Sequence, residues 1–289
     1  MKRKENISLQ LQSMYSFFNT SNLLPLIQLQ TDMLPEYCPT KWGFDERYKY
    51  DFSMKSIVLN LSNPTDAPCL MWRRSGKDRA NGAWSMRWTP ARDDISFNHA
   101  NVDITVYSTK YQKKILSYFT SLAAIAKTNF GCIEAYTEEY RTASFGNEGF
   151  VGGRVSICTH VLRHWLPDIY WATVFGPDYI KLFGMEHLLS TPAYRVEEIS
   201  DDVIFIQLTP DMNDPFNYFD EVMNAREKVK NHLGQECFFH KDRAYNWYDH
   251  PKKSGKVYRV PTFTKIDDLS EFGDRIKHIP HLMGDVADK

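Results

Sequence analysis

Residues 165–239 constrain the fold most strongly, because they combine many aromatic side chains with closely spaced turn signals. The stretch opens Trp-Leu-Pro-Asp-Ile-Tyr-Trp, continues Val-Phe-Gly-Pro-Asp-Tyr, and later reads Leu-Leu-Ser-Thr-Pro-Ala-Tyr. Residues 194–199 and 203–208 favour β-strands, and the polar pair Ser200 and Asp201 between them predicts a hairpin turn. Despite its many aromatic residues, the stretch contains no pattern typical of a catalytic site.

A helix is predicted directly after this hairpin. Asp214 is expected to cap it, Pro215 suits its first turn, and Gly234 is expected to end it. A short strand over residues 236–239 should follow. The order of elements in this half of the chain is therefore strand, strand, helix, strand.

The first half of the chain repeats this order. Val102, Ile104 and Val106 alternate with polar residues, which predicts a half-buried strand. Apolar residues at helical spacing then predict a helix over 110–129, with Ser108 as its N-cap. The other predicted elements are short strands at 56–61, 68–72, 83–88 and 132–136, a glycine-rich loop at 146–153, and a helix over about 155–166.

Together these elements predict an α+β fold: one or more antiparallel or mixed β-sheets with helices packed on one face. The repeated order raises the possibility of two ββαβ-like units, near 83–136 and 194–240, although the two halves share no matching residues. The expected divisions are an irregular N-terminal segment 1–50, an α+β domain 51–240 that could divide into 51–140 and 141–240, and a C-terminal surface tail 241–289.

Composition narrows the classes of function. With 43% hydrophobic and 25% charged residues, the 289-residue chain can build a large core and stay soluble. A net charge of −1 gives little electrostatic support for direct nucleic-acid binding. The five cysteines are scattered and odd in number, which favours reduced thiols. No signal peptide or membrane span is predicted, so we expect a cytoplasmic protein.

The sequence offers few candidates for chemistry. His160 and His164 are spaced to share a metal, but only Val-Leu-Arg separates them and no third ligand is evident. The glycines of the 146–153 loop do not form a phosphate-binding fingerprint, and no nucleophile or kinase motif occurs. We therefore expect a protein that is not an enzyme and has no catalytic residue, metal or cofactor.

Two charged surfaces are candidates for binding. Residues 72–92 interleave basic and aromatic residues, including Trp72, Trp84 and Trp88, a pattern that can bind single-stranded nucleic acid. The simpler interpretation is a solvated hairpin whose tryptophans face the core. Acidic pairs recur elsewhere, including residues 197–198 and 201–202, and together could face a basic partner.

The middle of the chain resembles immunity proteins of bacterial polymorphic toxin systems. The resemblance is to immunity protein family 52, or to the related type VI immunity family directed against VRR-type nucleases. The matching residues cover about a third of the chain. They are residues 166–171, 175–179, 183–184, 188–194 and 207–209, then Arg226, residues 229–230, 232–234 and 238–239, and finally residues 258–261 with Phe263.

This resemblance implies a non-catalytic inhibitor that binds the cognate toxin of an interbacterial secretion system. The toxin would be a restriction-endonuclease-like nuclease encoded by the neighbouring gene. A nuclease groove must be basic to hold phosphates, so an acidic face with aromatic anchors could occupy it. The candidate toxin-binding residues are Trp84, Trp88 and Trp171 as anchors, with Glu197, Glu198, Asp201 and Asp202 as charge partners. The alternatives are a nucleic-acid-binding module at 72–92, a structural adaptor of a secretion locus, and an enzyme that uses His160 and His164.

Overall fold

The computed structural model describes residues 6–13, 20–61, 69–85, 100–145, 150–151, 154–155, 157, 159–162, 164–240 and 258–263. Over these residues the strands are β1 Ile7–Ser13, β2 Lys41–Gly43, β3 Tyr50–Asp51, β4 Cys69–Arg74, β5 Ala80–Ser85, β6 Ala100–Val106, β7 Phe130–Ala135, β8 Phe150–Val151, β9 Arg154–Val155, β10 Ala172–Phe175, β11 Arg195–Ser200 and β12 Val203–Gln207. The helices are α1 Thr20–Met33, α2 Met54–Leu61, α3 Gln112–Ile125, α4 Glu138–Phe145, α5 Thr159–Leu162, α6 Pro177–Phe183, α7 Met185–Leu189, α8 Asp214–Asn217 and α9 Phe219–Leu233.

Ten of these strands form one antiparallel sheet in the order β11-β12-β10-β7-β1-β6-β5-β4-β2-β3. Strand β1 lies in its interior, where Leu9 pairs with Ile104 of β6 on one side and Ile133 of β7 on the other. The N-terminal strand therefore joins the two halves of the sheet. The described strands β8 and β9 form a separate two-stranded hairpin.

Helices cover both faces of the large sheet. On the first face, β1 contributes Ile7, Leu9 and Leu11 to a hydrophobic cluster that also contains buried residues of α1, α2 and α3. On the second face, strands β7, β10 and β12 pack against α4, α5, α6, α7 and α9 in another cluster. The predicted α+β class and antiparallel sheet are confirmed, but the helices pack on both faces of the sheet rather than on one.

Away from that second cluster, the same face of the sheet is polar. Ser8, Gln10 and Gln12 alternate with the core residues of β1, and all three are nevertheless buried. The cross-strand register continues this polar surface through Thr105 of β6 and Asn81 of β5. One face of the sheet thus changes from apolar to polar along the strand order.

Several predicted elements need correction. The irregular N-terminal segment 1–50 instead contains β1, α1 and the short strands β2 and β3. Residues 56–61 belong to helix α2, where Ser53 Oγ accepts a hydrogen bond from the Ser56 amide at 3.0 Å. Ile57 is buried in the core, and Met54 and Leu61 pack against it while partly exposed. Isoleucine, valine and leucine suit a short strand and a short helix equally, so the pattern favoured the wrong one. The described part of the 155–166 helix is only α5.

The second half follows its prediction more closely. The hairpin of β11 and β12 is confirmed, with Asp201 and Asp202 in the turn. The prediction that Gly234 ends the helix is confirmed: α9 stops there, and the glycine has a φ of 104°. Capping by Asp214 is wrong, because this residue is already helical and its carboxylate accepts the Asp211 amide at 3.1 Å.

The structure also bears on the predicted surface tail and on the predicted lack of a membrane span. Within the predicted surface tail, Tyr258 and Phe263 are buried, and their rings pack against Trp165 and Tyr179. That short piece of the tail therefore belongs to the core. Among the residues the structure describes, none of the helices is long and apolar enough to span a bilayer.

Candidate functional site

The β11–β12 hairpin carries exposed carboxylates at one edge of the sheet. Glu198, Asp201 and Asp202 are exposed and form no ion pair with any described residue. Ser200 Oγ donates a hydrogen bond to Asp202 Oδ1 at 3.2 Å, which orders the turn. Glu197 differs from the others, since it is partly buried and its carboxylate is bound to Arg195 at 2.6 Å.

An exposed apolar side chain lies at the same end of the sheet. The register runs from Phe130, at the start of β7, through Phe175 and Ile204 to Glu198. Helix α3 ends just before β7 and contacts both β11 and β12. Its last residue, Ile125, is 51% exposed. Glu198 shares the sheet face of its partner Ile204, whereas α3 covers the opposite face, so Ile125 and Glu198 flank this end of the sheet from opposite faces. We call Ile125, Glu198, Asp201 and Asp202 the acidic sheet end.

Strand β11 is poorly suited to pairing with another strand, although it is an edge strand. A register shift between Glu198 and Ser200 bulges the strand. On one face of β11, Arg195 and Glu197 form an ion pair, with the Arg195 guanidinium 5.4 Å from the Phe205 ring centroid. Bulges and charges on edge strands hinder strand addition. A partner at this edge would therefore be bound by side chains rather than by backbone pairing.

The predicted tryptophan anchors do not lie at this surface. Trp84 is completely buried and stacks on Trp72 with ring centroids 5.6 Å apart. Trp171 is 1% exposed, and its indole Nε1 donates a hydrogen bond to Thr209 Oγ1 at 3.0 Å. Both side chains are core residues in this structure and are inaccessible to a partner. Trp88 lies outside the described residues.

Burial of the tryptophans also removes part of the predicted nucleic-acid surface at residues 72–92. With Trp72 and Trp84 in the core, neither indole can stack on a nucleobase. Arg73 and Arg79 are exposed. The remainder of the segment, residues 86–92, lies outside the described residues.

A buried network of charges, which sequence reasoning missed, supports the second half of the sheet. Arg226 of α9 and Glu134 of β7 pair at 2.9 Å, and both are almost completely buried. The Arg226 guanidinium also donates to Tyr140 Oη at 3.1 Å and to the Ile169 carbonyl oxygen, and lies 3.5 Å from Asp168. Two helices, one strand and the 166–171 segment therefore meet at one side chain.

Backbone and lysine contacts complete this network. Glu134 accepts hydrogen bonds from the Ala135 and Trp171 amides at 2.9 and 3.0 Å. Asp168 accepts from Tyr140 Oη at 3.0 Å and lies 3.6 Å from Lys230 Nζ. Two carboxylates are thus balanced by two cations, which is the condition for retaining buried charge.

Burial is the largest single influence on the pKa values of Glu134 and Arg226. Desolvation raises the pKa of Glu134, and the ion pair with Arg226 opposes that rise. Desolvation lowers the pKa of Arg226, but Glu134, Tyr140 and Asp168 more than offset this, so the Arg226 pKa is raised overall. Arg226 therefore stays charged, and it keeps Glu134 from being an isolated buried carboxylate.

One sequence signal could have indicated this network. Arg226 shares the buried face of α9 with Val222, Val229 and Leu233, so a cation stands at a position that helical spacing assigns to the core. Asp168, Trp171 and Arg226 also belong to the residues that carry the immunity-family resemblance. Their role here is to hold α9 on the sheet.

The predicted metal candidates find no support in the described geometry. Among the described residues, no group of three or more His, Cys, Asp or Glu side chains is placed to hold a metal ion. His164 packs against Trp165, with ring centroids 5.9 Å apart. The side chain of His160, along with Cys158, lies outside what the structure describes.

Comparison with known proteins gives a weak structural likeness. No protein-family model matches the chain, and no curated protein matches it. Among solved structures, it is similar to a type VI secretion system protein of Pseudomonas aeruginosa, with a TM-score of 0.48 and 11% sequence identity. The alignment covers 88% of this chain and 90% of that chain. A likeness of this size does not assign a function.

Proposed function

We propose that this chain is a non-catalytic immunity protein that binds a nuclease toxin through its acidic sheet end. The observation that carries the proposal is the set of exposed carboxylates at Glu198, Asp201 and Asp202, which have no basic partner among the described residues. The family resemblance carried by the matching residues between 166 and 263 points in the same direction. The partner, its nuclease activity and a shared secretion locus are part of the proposal.

Charge complementarity supports this kind of partner. The active groove of a nuclease must be basic to hold phosphates. Carboxylates on a turn can meet those cations without offering a bond to cleave. Complementary charges of this kind chiefly accelerate association and orient the two surfaces.

The acidic sheet end also has the composition that a protein interface needs. Ile125 supplies exposed apolar area at the same end of the sheet as the carboxylates. Interfaces usually place apolar contacts at the centre and charged groups around the rim. We expect Ile125 to contribute affinity and the carboxylates to contribute speed and orientation.

The test is co-expression with the product of the neighbouring gene. If the proposal holds, the neighbour alone stops growth, and this chain restores growth and co-purifies with it. The double variant D201K/D202K should weaken the complex by about a hundredfold, mainly through slower association. An unchanged affinity in D201K/D202K would remove the hairpin from the interface.

The matched control is D220K/E221K, which makes the same charge change on exposed residues in the first turn of α9. It should leave the complex within about threefold of wild type, because it acts only through long-range charge. Equal losses in the two variants would indicate non-specific electrostatics. A harmless neighbour or the absence of a complex would refute the immunity function itself.

A further inference from the structure

A second charged surface lies near the opposite edge of the sheet. It comprises Tyr48, Arg73, Asn81, Arg79 and Tyr107, which we call the arginine–tyrosine face. Strand β4, which carries Arg73, is separated from β11 by seven inter-strand spacings, which amounts to roughly 30 Å. The acidic sheet end and this face are therefore independent surfaces.

The five side chains form a continuous line. Arg73 of β4 is the cross-strand partner of Asn81 of β5. Asn81 Oδ1 accepts a hydrogen bond from Tyr107 Oη at 3.0 Å. The Arg79 guanidinium lies 4.0 Å from the Tyr107 ring centroid, and the Arg73 guanidinium lies 4.9 Å from the Tyr48 ring centroid.

Both guanidinium groups are held by stacking rather than by ion pairs. Arg73 and Arg79 are exposed and have no carboxylate partner among the described residues. Tyr48 takes up a left-handed backbone conformation, with φ of 47°, in the turn where its ring meets Arg73. Stacking fixes the plane of a guanidinium and leaves its N–H edge free to bind a carboxylate in a bidentate manner.

We propose that the arginine–tyrosine face binds a carboxylate-bearing segment of a protein partner. Charge complementarity selects an anionic partner, and arginine and tyrosine are the residues enriched in the energetic centres of protein interfaces. Carboxylates in the same region argue against a nucleic acid: Asp51 pairs with Lys41 at 2.7 Å on this side of the sheet, and Asp78 precedes Arg79. A polyanion would be repelled by them, whereas a peptide with a few carboxylates can avoid them.

The experiment uses the full chain and measures fluorescence anisotropy with two probes, a labelled peptide that carries a few glutamates among glycine and serine residues, and a poly(dT) strand of matched length. We expect the peptide to bind more tightly than poly(dT). The R73E/R79E variant should weaken peptide binding at least about tenfold. The control K113E/K228E, which makes the same charge change at exposed lysines on α3 and α9, should change it less than about twofold.

The variant R73K/R79K separates charge from geometry. Lysine keeps the charge but loses the planar fork, so binding should fall by about threefold or more. Wild-type affinity in R73K/R79K would overturn the proposal, because charge alone would then suffice. Tighter binding of poly(dT) through the same arginines, no binding of the peptide, or an equal loss in the lysine control would overturn it as well.

Discussion

Replacing Arg226 with methionine tests the buried network most directly. The change removes the cation that neutralises Glu134. It also removes the hydrogen bonds that this cation donates to Tyr140 Oη and to the Ile169 carbonyl oxygen. Asp168 retains Lys230 at 3.6 Å and the hydrogen bonds from Tyr140 Oη and the Ile169 amide, but Glu134 loses its only counter-charge within the network. Breaking a buried pair in this way costs about 3–5 kcal/mol, so R226M should lower the free energy of unfolding by that amount.

The effect of R226M should depend on pH in a defined direction. Desolvation already raises the pKa of Glu134, and without Arg226 it should rise further. A carboxyl group whose pKa is raised in the folded state contributes stability at low pH and loses it as the pH rises through that pKa. The deficit of R226M relative to wild type should therefore be smaller at mildly acidic pH than at mildly alkaline pH.

Urea unfolding of four proteins would measure both effects. Adding Glu134→Gln to R226M removes the isolated carboxylate, so the double variant should regain about 2 kcal/mol and lose the added pH dependence. Lys228→Met on the exposed side of the same helix is the control, with an expected change within about 0.5 kcal/mol. A loss below about 1 kcal/mol in R226M, or a loss that does not vary with pH, would refute the reasoning.

Two further changes test the fold elsewhere. Gly82→Ala should lower the free energy of unfolding by more than about 2 kcal/mol in a urea titration, because the added Cβ would lie 2.2 Å from the Asp103 carbonyl oxygen; a near-neutral result would show that β5 and β6 can separate. The hydrogen bond from Lys114 is the largest cause of the lowered pKa of Glu36, so this pair contributes stability above the ordinary carboxyl value of 4.5 and loses it as the pH falls through the lowered pKa. Lys114→Gln should therefore lower the free energy of unfolding by less than about 1 kcal/mol at neutral pH, since Lys114 is half exposed. In strong acid it should have no effect, so a deficit that stays constant with pH would contradict this.

Periodicity predicted the elements in which one face meets the core and the other meets solvent. Helix α3 has that environment, and both α3 and strand β6 lie where the pattern places them, although the polar face of β6 is largely covered. Turn chemistry was equally informative at Gly234, because a left-handed backbone at the end of a helix favours glycine. These local signals were sufficient for the α+β class.

The pattern misled where the environment was unusual. Strand β1 alternates apolar and polar residues, but it follows Met-Lys-Arg-Lys-Glu and its polar residues are buried in the middle of the sheet. The candidate anchors failed for a related reason. Trp84 lies beside Ser85 in β5, yet a strand places alternate side chains on opposite faces, so a polar neighbour carries no information about the exposure of the tryptophan itself. Trp171 lies between Tyr170 and Ala172, directly before β10, and is buried with them.

Net charge conceals the arrangement that matters most for binding. A value of −1 argues against a strong field around the whole protein. The sheet nevertheless separates its charges, with carboxylates that form no ion pair on the turn after β11 and guanidinium groups that form none on β4 and just before β5, among the described residues. Charges roughly 30 Å apart are screened from one another at physiological salt, because the Debye length is about 8 Å. Each surface can therefore select a partner of opposite charge, and a charge reversal at one should leave binding at the other unchanged.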